Sequence, residues 1–185
     1  MSKALIVVDV QNDFCEGGSL PVPGAAGIVA PCNELLARLG LSVLTQDWHP
    51  EGHCSFGVWP VHCAAGTYGA SFHTWLKTER ARLVLRKGTD PAADCMSAFA
   101  DERGRPTGLA GYLHYNGVDE VVVCGLALDF CVLQTALGAR DVGLRATVVT
   151  DACAAVTEAG GRDALARMDA RGVRLLRMST VEALL

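Results

Sequence analysis

The sequence predicts an α/β fold: a three-layer, doubly wound, mostly parallel six-stranded sheet with helices on both faces. Two observations lead there. Short apolar, β-branched runs alternate along the chain with longer segments whose apolar residues recur at helical spacing. Neighbouring strands joined by helices run parallel, and both faces of such a sheet are covered. The second observation is chemical. Asp9, Asp47, Lys87, Cys131 and Asp151 each lie just past an apolar run. In a parallel sheet those positions share one rim, and ligands bind beyond the carboxyl ends of the strands.

Taken in order, Ala4 to Val8 reads as a buried first strand with Asp9 at its end. The loop Gln11 to Gly24 is rich in breakers and too long for a simple connection, which is typical of functional loops. A helix is expected from about Gly27 to Leu39, stopped by Gly40. Leu41 to Thr45 is a second strand leading into Gln46-Asp-Trp-His-Pro50, and residues 50–72 form another long loop. Arg82 to Arg86 is a third strand, with Lys87-Gly-Thr89 behind it. A helix over Thr107 to Tyr115 precedes a fourth strand, Glu120 to Cys124. Val132 to Arg140 carries Leu133, Ala136 and Leu137 at helical spacing. Ala146 to Thr150 is a fifth strand ending at Asp151, Glu158 to Ala170 a helix, Val173 to Leu176 a sixth strand, and Thr180 onward a short terminal helix. No repeat, linker or low-complexity tract interrupts residues 1–185, so one domain is expected.

Composition narrows the function. At 185 residues, half of them hydrophobic and 19% charged, the chain can bury a core without metal or disulfide staples. A net charge of -4 without a basic stripe argues against nucleic acid or an anionic membrane as partner. Eight cysteines lack the compact spacing of a secreted scaffold and include no Cys-x-x-Cys pair. That speaks against a thiol redox protein. The apolar run after Met1-Ser-Lys is too short for a signal peptide or a membrane span. Reduced thiols and a cytoplasmic location are the expectation.

Cys131 falls at a strand-to-helix junction, in the first turn of the expected helix. Unpaired N–H groups and the helix dipole there favour a thiolate. Alone it reads equally well as a buried apolar cysteine, and Lys87 alone as a solvated lysine. Asp151, before Ala-Cys-Ala-Ala, reads as a residue that orders its loop. Asp9, Lys87 and Cys131 on one rim are different: a thiol, a base for its proton and a cation to tune both. A second set is Asp47 and His49, two apart and so on one side of an extended segment, with His62. Carboxylate and imidazole suit zinc, with iron or manganese as alternatives. His53 and His73 compete for the third position.

Six fragments carry a resemblance. They are Asp9-Val-Gln-Asn-Asp-Phe14, Thr45-Gln-Asp-Trp-His-Pro50, Trp59-Pro-Val-His-Cys63, Lys87-Gly-Thr89, Ser97-Ala-Phe99 and Gly125-Leu-Ala-Leu-Asp-Phe-Cys-Val132. In order, between about residues 4 and 155, they resemble the nicotinamidases of the isochorismatase-like cysteine hydrolases. The Asp-Trp-His-Pro and Trp-Pro-Val-His-Cys pair is similar to the metal-binding branch in particular. The resemblance implies an isochorismatase-like fold, with Asp9, Lys87 and Cys131 as catalytic triad. It implies Asp47, His49 and His62 as ligands of one divalent ion, which prefers His62 to His73. It further implies a cis peptide at Leu126–Ala127, an oxyanion site at the N–H groups of Ala127 and Cys131, and a pyridine pocket walled by Phe14, Trp59 and Phe130. Leu128 and Phe130 replace the family's usual threonine and tyrosine.

The implied activity is hydrolysis of nicotinamide to nicotinate and ammonia through a cysteine thioester, with pyrazinamide as a further substrate and NAD salvage as the setting. The metal is expected to hold the ring nitrogen, directly or through water. Monomer and homo-oligomer both fit. Two other readings are a metal-free relative acting on another small amide or carbamoyl compound, and a binding protein that kept only the pocket.

Overall fold

The computed structural model describes residues 2–184. Six strands form one sheet in the order β3-β2-β1-β4-β5-β6, with β1 Ser2–Val8, β2 Leu41–Asp47, β3 Leu83–Lys87, β4 Val118–Leu126, β5 Arg145–Ala154 and β6 Arg174–Leu176. Every pairing is parallel. The order reverses between β1 and β4, the crevice where doubly wound sheets bind ligands.

Strand alternation sends β1 side chains to two separate cores. Ile6 and Val8 pack with Val121 and Val123 of β4 beneath α2 (Leu109–Tyr115), α3 (Leu133–Asp141) and α4 (Glu158–Ala170). Leu5 and Val7 pack with Val122 and Cys124 beneath α1 (Val29–Arg38), which contributes Val29, Cys32, Leu35 and Leu36. Those α1 positions are the 3.6-residue stripe of an amphipathic helix. Thr157 caps α4, its hydroxyl accepting from Gly160 N at 2.9 Å. Among the described residues no helix is long and apolar enough to cross a membrane.

The structure corrects several boundaries. The first helix is a 3-10 turn, Ala25–Ile28, followed by α1, because left-handed Gly24 (φ 76°) starts the turn before the regular helix sets in. The terminal helix is 3-10 over Met178–Leu184. β2 runs on to Asp47 and β3 to Lys87 because these residues pair with each other across the two strands. β5 continues through Asp151 because Cys153 and Ala154 pair with Gly125 and Leu126 after a shift of register. Asp151 is therefore inside a strand and off the rim, its carboxylate accepting from Met178 N at 2.8 Å.

Candidate active site

Asp9, Lys87 and Cys131 arrive at the rim from β1, β3 and the turn after β4, and all three are buried. Lys87 Nζ lies 2.8 Å from Asp9 Oδ2 and donates to Cys131 Sγ at 3.6 Å, to Asp47 Oδ1 at 2.5 Å and to Cys95 O at 2.9 Å. Asp9 takes a left-handed backbone, φ 48°, rare for a non-glycine residue and a mark of functional positions. Thr45 of β2 supports it, donating from Oγ1 to Asp9 Oδ1 at 2.6 Å and accepting from Asp9 N at 3.2 Å. The Leu126–Ala127 peptide is cis.

The electrostatics revise one expectation. Cys131 sits in a single π-turn, Leu128–Val132, ahead of α3, and not in a regular first turn. Burial pushes its thiol well above the ordinary cysteine value; Lys87 pulls the other way, and Asp9 and Asp47 add to the rise. Burial beside two carboxylates thus favours the protonated sulfur, against the thiolate that a helix end alone would favour. Burial also raises the Asp9 carboxyl to about 6 against the pull of Lys87. Burial works against the Lys87 ammonium, yet Asp47 and Asp9 outweigh it and hold its pKa well above the usual lysine value.

Asp47, His49 and His62 bring one potential ligand atom each within 4.8 Å of one another. Nδ1 of His49 lies 3.0 Å from Gly88 O, and Nδ1 of His62 lies 2.7 Å from Pro60 O. A carbonyl only accepts, so both Nδ1 atoms carry hydrogen and both Nε2 lone pairs are left for an ion. The two rings stand at 80°, so their lone-pair planes cross. Burial lowers His49 to about 4, which keeps it a neutral ligand. These residues fit a divalent ion. His53 stacks on His49 with centroids 4.1 Å apart and planes at 19°. His49, His53 and Asp94 likewise bring one potential ligand atom each within 4.8 Å of one another. His53 Nε2 is buried without a hydrogen-bond partner. His73 pairs instead with Trp75.

Phe14, Trp59 and Phe130 line one cavity with Cys131, Ala127 and the metal set. Trp59 and Phe130 meet edge to face at 5.5 Å. Leu20, Met96 and Val156 also line it.

Several supporting residues escaped the sequence reading. Gln11 clasps the backbone of Asp47, donating from Nε2 to Asp47 O and accepting at Oε1 from Asp47 N, both at 2.8 Å. Asp13 Oδ2 accepts from Cys63 N at 2.7 Å, tying the first long loop to the second beside His62. Asp129 accepts from Val156 N at 2.9 Å and Thr157 N at 3.2 Å, fastening the turn of Cys131 to the start of α4. All are polar residues inside the quoted fragments, and only their distant partners reveal what they hold. Gly88 combines φ 64° with a position where a Cβ would lie 2.5 Å from the His49 ring.

Residues 3–180 match the Isochorismatase domain family. The nicotinamidase of Acinetobacter baylyi is 42% identical, over 92% of this chain and 90% of that protein. The nicotinamidase/pyrazinamidase of Mycobacterium tuberculosis is 41% identical, over 94% and 98%. Among solved structures, PnC1 from L. infantum in complex with nicotinate superposes with a TM-score of 0.93 at 43% identity, covering 96% of this chain and 93% of that one. The pyrazinamidase of Pyrococcus horikoshii in complex with zinc gives 0.87 at 37% identity, covering 96% and 100%. Matched to the family over residues 3–180, and at least 41% identical to these two curated relatives along more than nine-tenths of its length, this chain is a member of the isochorismatase family.

Proposed function

We propose that the protein hydrolyses nicotinamide to nicotinate and ammonia through a thioester on Cys131, and hydrolyses pyrazinamide likewise. The observation that carries this is Lys87 Nζ, 2.8 Å from the Asp9 carboxylate and 3.6 Å from Cys131 Sγ, beside a two-histidine, one-carboxylate set. Kinship with nicotinamidases supports the choice of amide. The setting that follows is recovery of nicotinamide for NAD.

Cys131 gives its proton to Asp9 as sulfur attacks the carboxamide carbon and the carbonyl electrons move to oxygen. A carboxyl with a pKa of about 6 takes that proton and returns it near neutral pH. Backbone N–H groups of Ala127 and Cys131 receive the oxyanion, and one such donor is worth about 3 kcal/mol. As the intermediate collapses, the nitrogen takes the proton from Asp9 and leaves as ammonia. Water then yields a proton to Asp9 and attacks the thioester carbon; the carbon–sulfur bond breaks, sulfur recovers the proton and nicotinic acid departs and ionises. Lys87 remains an ammonium throughout, offsetting Asp9 and Asp47. Phe14, Trp59 and Phe130 hold the ring over Cys131, so little orientational freedom is lost at the barrier.

Asp47, His49 and His62 would hold one divalent ion, zinc suiting these donors and iron or manganese being alternatives. When bound, it supplies a Lewis-acid site for the ring nitrogen of the substrate. His53, whose Nε2 is buried without a hydrogen-bond partner beside His49, is a further candidate ligand.

Ammonia release from nicotinamide tests the proposal. Metal-loaded wild-type protein is expected to release ammonia in step with nicotinate, and Cys131→Ala to release none while keeping its circular dichroism. No ammonia from the wild-type protein, or undiminished release from the variant, would overturn it.

A further inference from the structure

The cavity that holds Cys131 has one thin wall. Asp94 and Met96 line it, and the same two residues line a second groove formed with Ser97, Phe99, Gln134 and Leu137. The backbone of this wall is fastened on both sides of Met96. Cys95 O accepts from Lys87 Nζ at 2.9 Å, and Ala98 N donates to Thr135 Oγ1 at 3.0 Å. Asp94 is turned back on its own chain, accepting from Cys95 N at 2.7 Å. Asp94, whose carboxylate also lies near His49 and His53, and Met96 stand between the two spaces, and of the two only the half-buried side chain of Met96 is apolar. The rest of the apolar lining is largely aromatic or β-branched: Phe14, Trp59, Phe130, Val22 and Val156. Methionine is unbranched, with three rotatable bonds, and adapts its shape where these do not.

We propose that Met96 determines specificity by setting how large a ring the acyl site admits. Beyond it lies room for the fused or substituted part of a larger heteroaromatic carboxamide. This rests on the amidase reading above and adds the residue that limits its substrates. A hydrophobic wall discriminates by contact and clash, effects of roughly 10- to 200-fold per small group, so shortening the wall should move the preference by a measurable factor.

The test compares kcat/KM for quinoline-3-carboxamide and nicotinamide in wild-type protein, Met96→Ala and Met96→Ala/Gln134→Trp. Expected is a rise of about tenfold or more in the quinoline-to-nicotinamide ratio for Met96→Ala, most of it lost when tryptophan fills the groove. Gln134 lies outside the catalytic cavity, so Gln134→Trp alone should leave nicotinamide turnover unchanged. A ratio within about twofold of wild type, or a raised ratio that the tryptophan does not reduce, would overturn the proposal. If Met96→Ala does not fold, Met96→Val shortens the wall while keeping its apolar packing and is judged by the same ratios. Failure of wild-type protein to hydrolyse nicotinamide would count against the amidase reading; turnover with an unmoved ratio counts against Met96 alone.

Discussion

At the scale of single residues, reactivity is set by charges that share one buried space. Lys87 has two carboxylates and a thiol around it, so while Cys131 keeps its proton the Lys87 charge is cancelled by one carboxylate and the other remains as a net negative charge. Burial raises Asp9 to about 6, which puts the titration of this base in the working range. It must be ionised to accept the thiol proton, so kcat/KM should fall as pH drops through about 6 and level off above it. Stopped assays across that range check the sign; activity that rises on acidification would remove Asp9 as the base. Asp9→Asn keeps the shape and loses the basicity, and should lower kcat by about three orders of magnitude or more. Loss of that carboxylate also leaves Lys87 with only Asp47 for charge compensation, so a changed melting temperature must be measured beside the rate.

At the scale of elements, the sheet places the rim but its connections aim the side chains. Gly88, following β3, holds a conformation and a closeness to His49 that only glycine accepts. Gly88→Ala should cost roughly 1–3 kcal/mol and displace the His49 ring. The checks are thermal unfolding and zinc content by elemental analysis, and full zinc content with unchanged stability would remove the packing argument. Asp129 joins the Cys131 turn to the start of α4 through two backbone N–H groups. Asp129→Ala leaves both without their acceptor, and should cost about 1–3 kcal/mol and raise KM, since Val156 lines the cavity. Asp129→Asn, which keeps one acceptor oxygen, should recover part of both effects.

At the scale of the whole molecule, the proposed ligand set joins the end of β2 to the second long loop. An ion bound only by the folded chain stabilises it by mass action, by about 2.7 kcal/mol at a hundredfold excess over Kd. Removing metal with a chelator should therefore lower the melting temperature and the rate together, and added zinc should restore both. A rate that survives complete metal removal would eliminate the ion from catalysis. Benzamide, lacking the ring nitrogen, should be turned over poorly by the loaded protein, and parity with nicotinamide would refute ring-nitrogen docking.

The alternation of β-branched runs with helical stripes was enough, in sequence, to determine a doubly wound parallel sheet. Local chain chemistry suffices because Ala4–Val8 and Glu120–Cys124 have no polar residue positioned to interrupt a doubly covered strand except Glu120, which bonds Thr147. The quoted fragments also contained Asp9, Asp47 and Cys131, though not Cys95, whose carbonyl accepts from Lys87. Sequence did not determine the protonation state of Cys131, which spacing read as a thiolate at a helix end. Burial, with Lys87, Asp9 and Asp47 from remote parts of the chain, shifts that balance, and burial and Coulomb interactions depend on distances in space. The same holds for Gln11, Asp13 and Asp129, whose partners are 36, 50 and 27 residues away. Local propensity fixed the strands and helices; only the folded chain could fix which charges meet, and so what the thiol is able to do.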